Sequence, residues 1–153
     1  MANGITYGLN FPLRQSLQGK YVSLTQTPDE EIRANLVHLL LTRKGSRYYL
    51  PNFGTRLYEF IFEPLDGDTF STLRSEIEES ISTFIPNLTI QNISIEPYVN
   101  AEPSLGELVV PEQDIPVYAI PGANTEEYTA KIKIEYIDES SAFGTRQFVI
   151  INL

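Results

Sequence analysis

With 153 residues, 42% of them hydrophobic and 20% charged, the chain is long enough for one ordinary buried core and short for a second domain. Its net charge of −9 argues against wrapping nucleic acid, because phosphate binding needs a basic face, and the absence of cysteine excludes disulfides and thiolate chemistry. The N-terminal stretch lacks the basic flank and apolar core of a signal peptide, and no window nears the roughly 18 apolar residues of a membrane helix. A soluble protein, not exported by that route, is expected.

Residues 1–26 are polar and punctuated by Gly4, Gly8, Pro12 and Gly19, with Tyr21–Leu24 as a candidate short strand. Such an arm either packs over the domain or reaches a neighbour. A well-signalled helix follows. Thr27 suits the N-cap, Pro28 the first helical position, and Glu30 completes a capping box. Ile32, Leu36, Leu39 and Leu40 then form one apolar stripe, with Val37 and Leu41 beside it. Core packing is the plain reading of those extra side chains, and contact with a second protein the functional one. Gly45 falls where a left-handed C-terminal cap belongs.

Residues 39–64 read as a connector of required shape. An apolar helix end runs into a basic glycine turn, an aromatic stretch, Pro51-Asn52-Phe53-Gly54, and an amphipathic turn closing on Glu63-Pro64. Arg43, Lys44, Arg47 and Arg56 fall within 14 residues, whereas Ser75–Ala130 holds ten Asp or Glu and no Lys or Arg. The basic turn is either solvated or set against an acidic protein surface. Residues 46–56 are expected to be extended or a tight hairpin, and Leu57–Phe62 a short helix that Pro64 ends.

Asp66-Gly67-Asp68 predicts a turn capping a second helix over Thr69–Phe84, with Phe70, Leu73, Ile77, Ile81 and Phe84 on one face. Leu88–Tyr98 reads as a strand whose apolar phase shifts near Gln91-Asn92, the mark of a bulge. Val99–Glu127, rich in Pro and Gly, predicts a protruding acidic insertion with a small hairpin of its own. Tyr128–Asp138 alternates well, Asp138–Gly144 is a loop, and Thr145–Leu153 is a last strand. In that strand Phe148 and Ile150 point one way, and Val149, Ile151 and Leu153 the other. A strand apolar on both faces is either central in its sheet or covered by a partner adding a strand. Helices first and a sheet afterwards give an α+β fold, two main helices on a small mixed or antiparallel sheet.

Taken together, the residues resemble the baseplate wedge family of contractile phage tails. It is also called the lysozyme-like or sheath-initiator family, and it has a counterpart in type VI secretion baseplates. The resemblance rests on Phe11-Pro12, Gly19, Leu40-Leu41-Thr42, Gly45-Ser46-Arg47, Pro51-Asn52-Phe53-Gly54 and Phe62-Glu63-Pro64, and covers residues 11–98. It implies a non-enzymatic virion protein, assembled in the host cytoplasm into a six-fold baseplate. The implied partners are wedge subunits, tail sheath protein and the tube or hub proteins, with no nucleic acid, membrane, cofactor or metal. Glu63 and Pro64 carry over as wedge-contact residues. The family's Glu-Pro-Arg is departed from at Leu65, leaving Arg56 or Arg47 as candidate substitutes.

The interaction residues expected on these grounds are Arg43, Lys44, Arg47, Phe53, Gly54, Arg56, Glu63 and Pro64, with Phe148, Val149, Ile150 and Ile151 as the template for an added sheath strand. A peptidoglycan glycosidase is the rival enzyme reading. It needs two carboxyls across a cleft, for which Glu63 with Asp66 or Asp68 is the candidate set. A small regulatory anti-adaptor of the same fold is the other rival. His38, the single histidine, is placed on the polar side of the first helix and is a poor basis for a zinc site.

Overall fold

The computed structural model describes residues 7–16, 21–60, 67–97, 117–119, 130–138 and 146–152. Their order is β1 (Gly8–Leu9), β2 (Leu24–Thr25), α1 (Pro28–Leu41), α2 (Leu57–Phe60), α3 (Gly67–Phe84), β3 (Leu88–Pro97), β4 (Val117–Ala119), β5 (Ala130–Asp138) and β6 (Arg146–Asn152). The fold is α+β, with one four-stranded mixed sheet in the order β3-β5-β6-β4 and a two-stranded β1-β2 ribbon.

α1 begins as its sequence dictates. The Glu30 N–H donates to Thr27 Oγ1 at 3.2 Å, and the Glu30 carboxylate accepts from the Gln26 N–H at 2.8 Å, one residue upstream of the usual capping-box donor. Leu36, Val37, Leu39 and Leu40 are fully buried, and Leu41 nearly so. The apolar excess of the last turn is therefore core. The helix ends at Thr42, in extended conformation, whose N–H and hydroxyl both donate to His38 O. Gly45 is not the cap: it has φ +87° but lies in the turn beyond, its N–H bound to Pro51 O.

α3 starts at Gly67, two residues earlier than expected, which puts Asp68 in the first turn instead of at a cap. A carboxylate there is favoured by the helix dipole. Leu73, Ile77 and Ile81 face the core, and α3 touches α1, α2 and β3.

The sheet carries the alternation of its sequence. Ala130, Ile132, Ile134 and Tyr136 of β5 are buried, and β3 pairs antiparallel with β5 through a register shift between Ile90 and Asn92. A polar link ties α1 to the sheet: Arg33 Nη2 donates to Gln147 Oε1 at 2.8 Å, and the Tyr136 hydroxyl donates to the same oxygen at 3.4 Å. β6 lies inside the sheet, antiparallel to β5 and parallel to β4. Val149, Ile150 and Ile151 have no exposed surface, which explains why both faces of this strand are apolar.

Of the expected insertion, residues 99–116 and 120–127 lie outside the described residues. Val117–Ala119 is the described part of it. It joins the main sheet, pairing with Ile150–Asn152. The N-terminal ribbon packs on α1, with Phe11 against the core, so the described part of the arm covers its own domain.

Candidate functional site

The connector between α1 and α2 is a closed surface loop over residues 43–55, neither an extended segment nor a regular hairpin. Arg43 and Thr55 form a parallel bridge at its neck, where the Lys44 N–H donates to Thr55 O at 3.0 Å and the Thr55 N–H to Thr42 O at 2.9 Å. The Thr55 side chain, wholly buried, donates to Leu40 O at 2.7 Å. Further out, the Gly45 N–H meets Pro51 O at 2.7 Å and the Phe53 N–H meets Leu50 O at 3.0 Å. Backbone pairing thus closes the loop at its neck and again beneath its tip.

Gly54 explains the glycine of the Phe-Gly pair. Its φ is +113°, and a Cβ there would collide with the Thr42 carbonyl. The Ser80 hydroxyl of α3 donates to Gly54 O at 3.3 Å, so the neck is also held from the second helix.

The inner side of the loop is a stack of rings. His38 lies against Phe11 at 4.8 Å and near Phe53 at 5.5 Å, and Phe53 meets Phe84 edge-on at 5.2 Å. Arg47 Nη2 is 2.8 Å from His38 Nε2, and its guanidinium sits 4.1 Å above the Phe53 ring. Arginine is always a donor here, so His38 Nε2 is the acceptor and the imidazole is neutral. Burial first, and the Arg47 charge second, hold the His38 pKa below its ordinary 6.5. The expectation that His38 lies on a polar face is therefore corrected in part: it is half-buried between the Phe11 and Phe53 rings, with Arg47 beside it. A cleft of about 340 Å³ lies over this cluster, lined by Asn35, His38, Arg47, Phe53, Phe84 and Ile85.

The loop brings Arg43, Lys44, Arg47, Phe53, Gly54 and Arg56 together but gives them different tasks. Arg47, Phe53 and Gly54 are internal supports. Arg56 is paired with Glu59 at 2.6 Å, and that arginine and hydrogen bond hold the exposed Glu59 carboxylate below its usual range. Arg43 and Lys44 present their charge to solvent. Neither Arg47 nor Arg56 stands free for the role of the family arginine. Glu63, Pro64 and Asp66 lie outside the described residues; Asp68 is exposed in the first turn of α3. Among the described residues there is no cluster of three metal-ligating side chains and no helix long and apolar enough to cross a membrane.

The last strand requires a correction. Val149, Ile150 and Ile151 are buried, Phe148 is half-buried beneath Lys133, and β4 occupies the edge of β6 along Ile150–Asn152. Val149, Ile150 and Ile151 are core side chains, whereas Phe148 keeps part of its surface exposed. The described edges of the sheet are β3 and β4.

Sequence reasoning missed the loop tip. Tyr48 and Tyr49 are 98% and 96% exposed, and Leu50 is 51% exposed. Adjacent aromatics inside a basic turn were the available signal, read only as part of a shaped connector.

Comparison with known proteins agrees with this architecture. The family described as baseplate wedge protein gp25 matches residues 26–109. The chain is 30% identical over 66 residues to the baseplate wedge protein gp25 of Enterobacteria phage T4, a stretch that is 43% of this chain and 50% of that protein. It thus spans about half the length of that curated relative. Among solved structures, a Geobacter sulfurreducens protein described as a tail lysozyme is similar at TM-score 0.59 and 18% identity, over 86% of this chain and 94% of that one. At that identity the likeness concerns the fold alone. A chain of the anti-feeding prophage baseplate, solved by cryo-EM with six-fold symmetrisation, is similar at TM-score 0.53 and 29% identity, over 60% of this chain and 72% of that one.

Proposed function

The chain belongs to the baseplate wedge protein gp25 family, and from that premise we propose that it is a non-catalytic structural component of a contractile-tail baseplate. In this role it binds wedge subunits through the face that bears the basic loop and takes a strand of the tail sheath onto the edge of its four-stranded sheet. The observation that carries the sheath contact is the position of β3. It is a ten-residue strand at the outside of the sheet, paired to β5 along one edge, with no described strand along the other. Strand addition needs such a row of backbone groups, and the three-residue β4 offers a shorter one. A contact role also suits the loop chemistry. His38 is engaged by Arg47 and not by a hydroxyl nucleophile, and the surrounding rings fix shape.

Hydrogen exchange tests the edge assignment. On mixing the chain with purified sheath protein, amides of β3 should slow by about tenfold or more, with β6 unchanged because it is already interior. Protection confined to β4, or none anywhere in the sheet, would contradict the β3 edge.

A further inference from the structure

The fold holds the tip of the 43–55 loop in place yet keeps it out of the core. Tyr48 and Tyr49 are almost wholly exposed, their rings edge-to-face at 6.2 Å, with Leu50 beside them. Backbone bonds close the turn beneath them, and the Arg47 contact with His38 and Phe53 pins its flank. A rigid, exposed Tyr-Tyr-Leu knob loses little conformational freedom on binding, and tyrosine is a residue on which interface energy concentrates. Within the loop's own sequence the charge has one sign, four Lys or Arg and no Asp or Glu over residues 43–56; Arg47 turns inward and Arg56 pairs with Glu59, which leaves Arg43 and Lys44 exposed beside the knob.

We propose that Tyr48, Tyr49 and Leu50 anchor the chain in an apolar groove rimmed by carboxylates on a different baseplate subunit, with Arg43 and Lys44 facing that rim. The inference rests on the baseplate reading above and names the surface and the partner chemistry. Charge selects the occupant. The molecule has 20 Asp and Glu against 11 Lys and Arg, so outside the loop it is more acidic still than its net −9. A nucleic acid or an anionic membrane attracted by the loop is repelled by the remainder. Two copies of the chain repel each other at long range. A compact acidic groove that meets only the loop escapes both objections.

The test places a photo-cross-linking benzoylphenylalanine at position 48 or 49 and maps its adducts in purified baseplates. The expected adduct is a peptide of another baseplate subunit in which Asp or Glu flanks apolar residues. Adducts to a second copy, to lipid or to nucleic acid would overturn the proposal, as would a chain present in baseplates with no adduct. In parallel, Tyr48→Ser with Tyr49→Ser should weaken association with the wedge assembly about a hundredfold. Thermal unfolding should stay unchanged, because these rings cover no core. Arg43→Glu with Lys44→Glu should weaken it about tenfold, an effect that shrinks as salt rises. Unchanged association in both variants would overturn the anchor. Absence of the wild-type chain from baseplates would overturn the baseplate reading, and this inference with it.

Discussion

Arg47 turns inward. A basic residue in a glycine turn reads from sequence as surface charge, yet its guanidinium lies over Phe53 and donates to His38. Only the three-dimensional meeting of α1 with the loop creates that role, so spacing could not reveal it. Gly54 was expected as a contact residue, and its positive φ against the Thr42 carbonyl emerges only where the loop closes on the end of α1. Gly54→Ala should cost at least about 2 kcal/mol in chemical denaturation, from the positive φ and the collision with Thr42. A loss under about half a kcal/mol would show that the neck relaxes freely. His38 gives a pH signature. Its native pKa is depressed below 6.5 by burial and by Arg47, so the unfolded chain binds the proton more readily. The contribution is therefore complete above the unfolded value and lost as pH falls through the lower native one. Between about pH 7 and about pH 5, the wild type should lose more stability than His38→Gln. Equal losses would contradict the neutral-imidazole contact.

At the scale of elements, local chemistry spoke clearly where one physical rule dominated. The Thr27 cap, the β3 bulge and the alternation of β5 follow from capping geometry, an extra residue and a half-buried pleat, and each appears in place. The last strand shows where that legibility stops. Two apolar faces are equally compatible with a central strand and with a docking strand; what decided it was Val117–Ala119, about thirty residues earlier, pairing in parallel. Burial then makes β6 a stability element. Ile151→Ala should destabilise by about 2–5 kcal/mol, measured by denaturant unfolding, since the side chain is fully enclosed. Deletion of residues 145–153 should unfold the sheet. A truncated chain that keeps a cooperative transition would contradict the interior placement of β6.

Over the whole molecule, a rigid α+β body presents two different surfaces, a basic aromatic loop beyond α1 and the outer edge of β3. The asymmetry of charge was legible in composition. The knob was not, because exposure depends on which aromatics the core has already taken: Phe11, Phe53 and Phe84 pack inward, whereas Tyr48 and Tyr49 do not. The two proposed contacts require both surfaces to be occupied in an assembled particle, and a single-particle reconstruction of the purified contractile apparatus reads both at once. The expected result is this chain in the baseplate, a sheath strand along β3, and Tyr48 and Tyr49 sunk into a neighbouring subunit. A baseplate lacking this chain, or one in which it is present with both surfaces open to solvent, would contradict it.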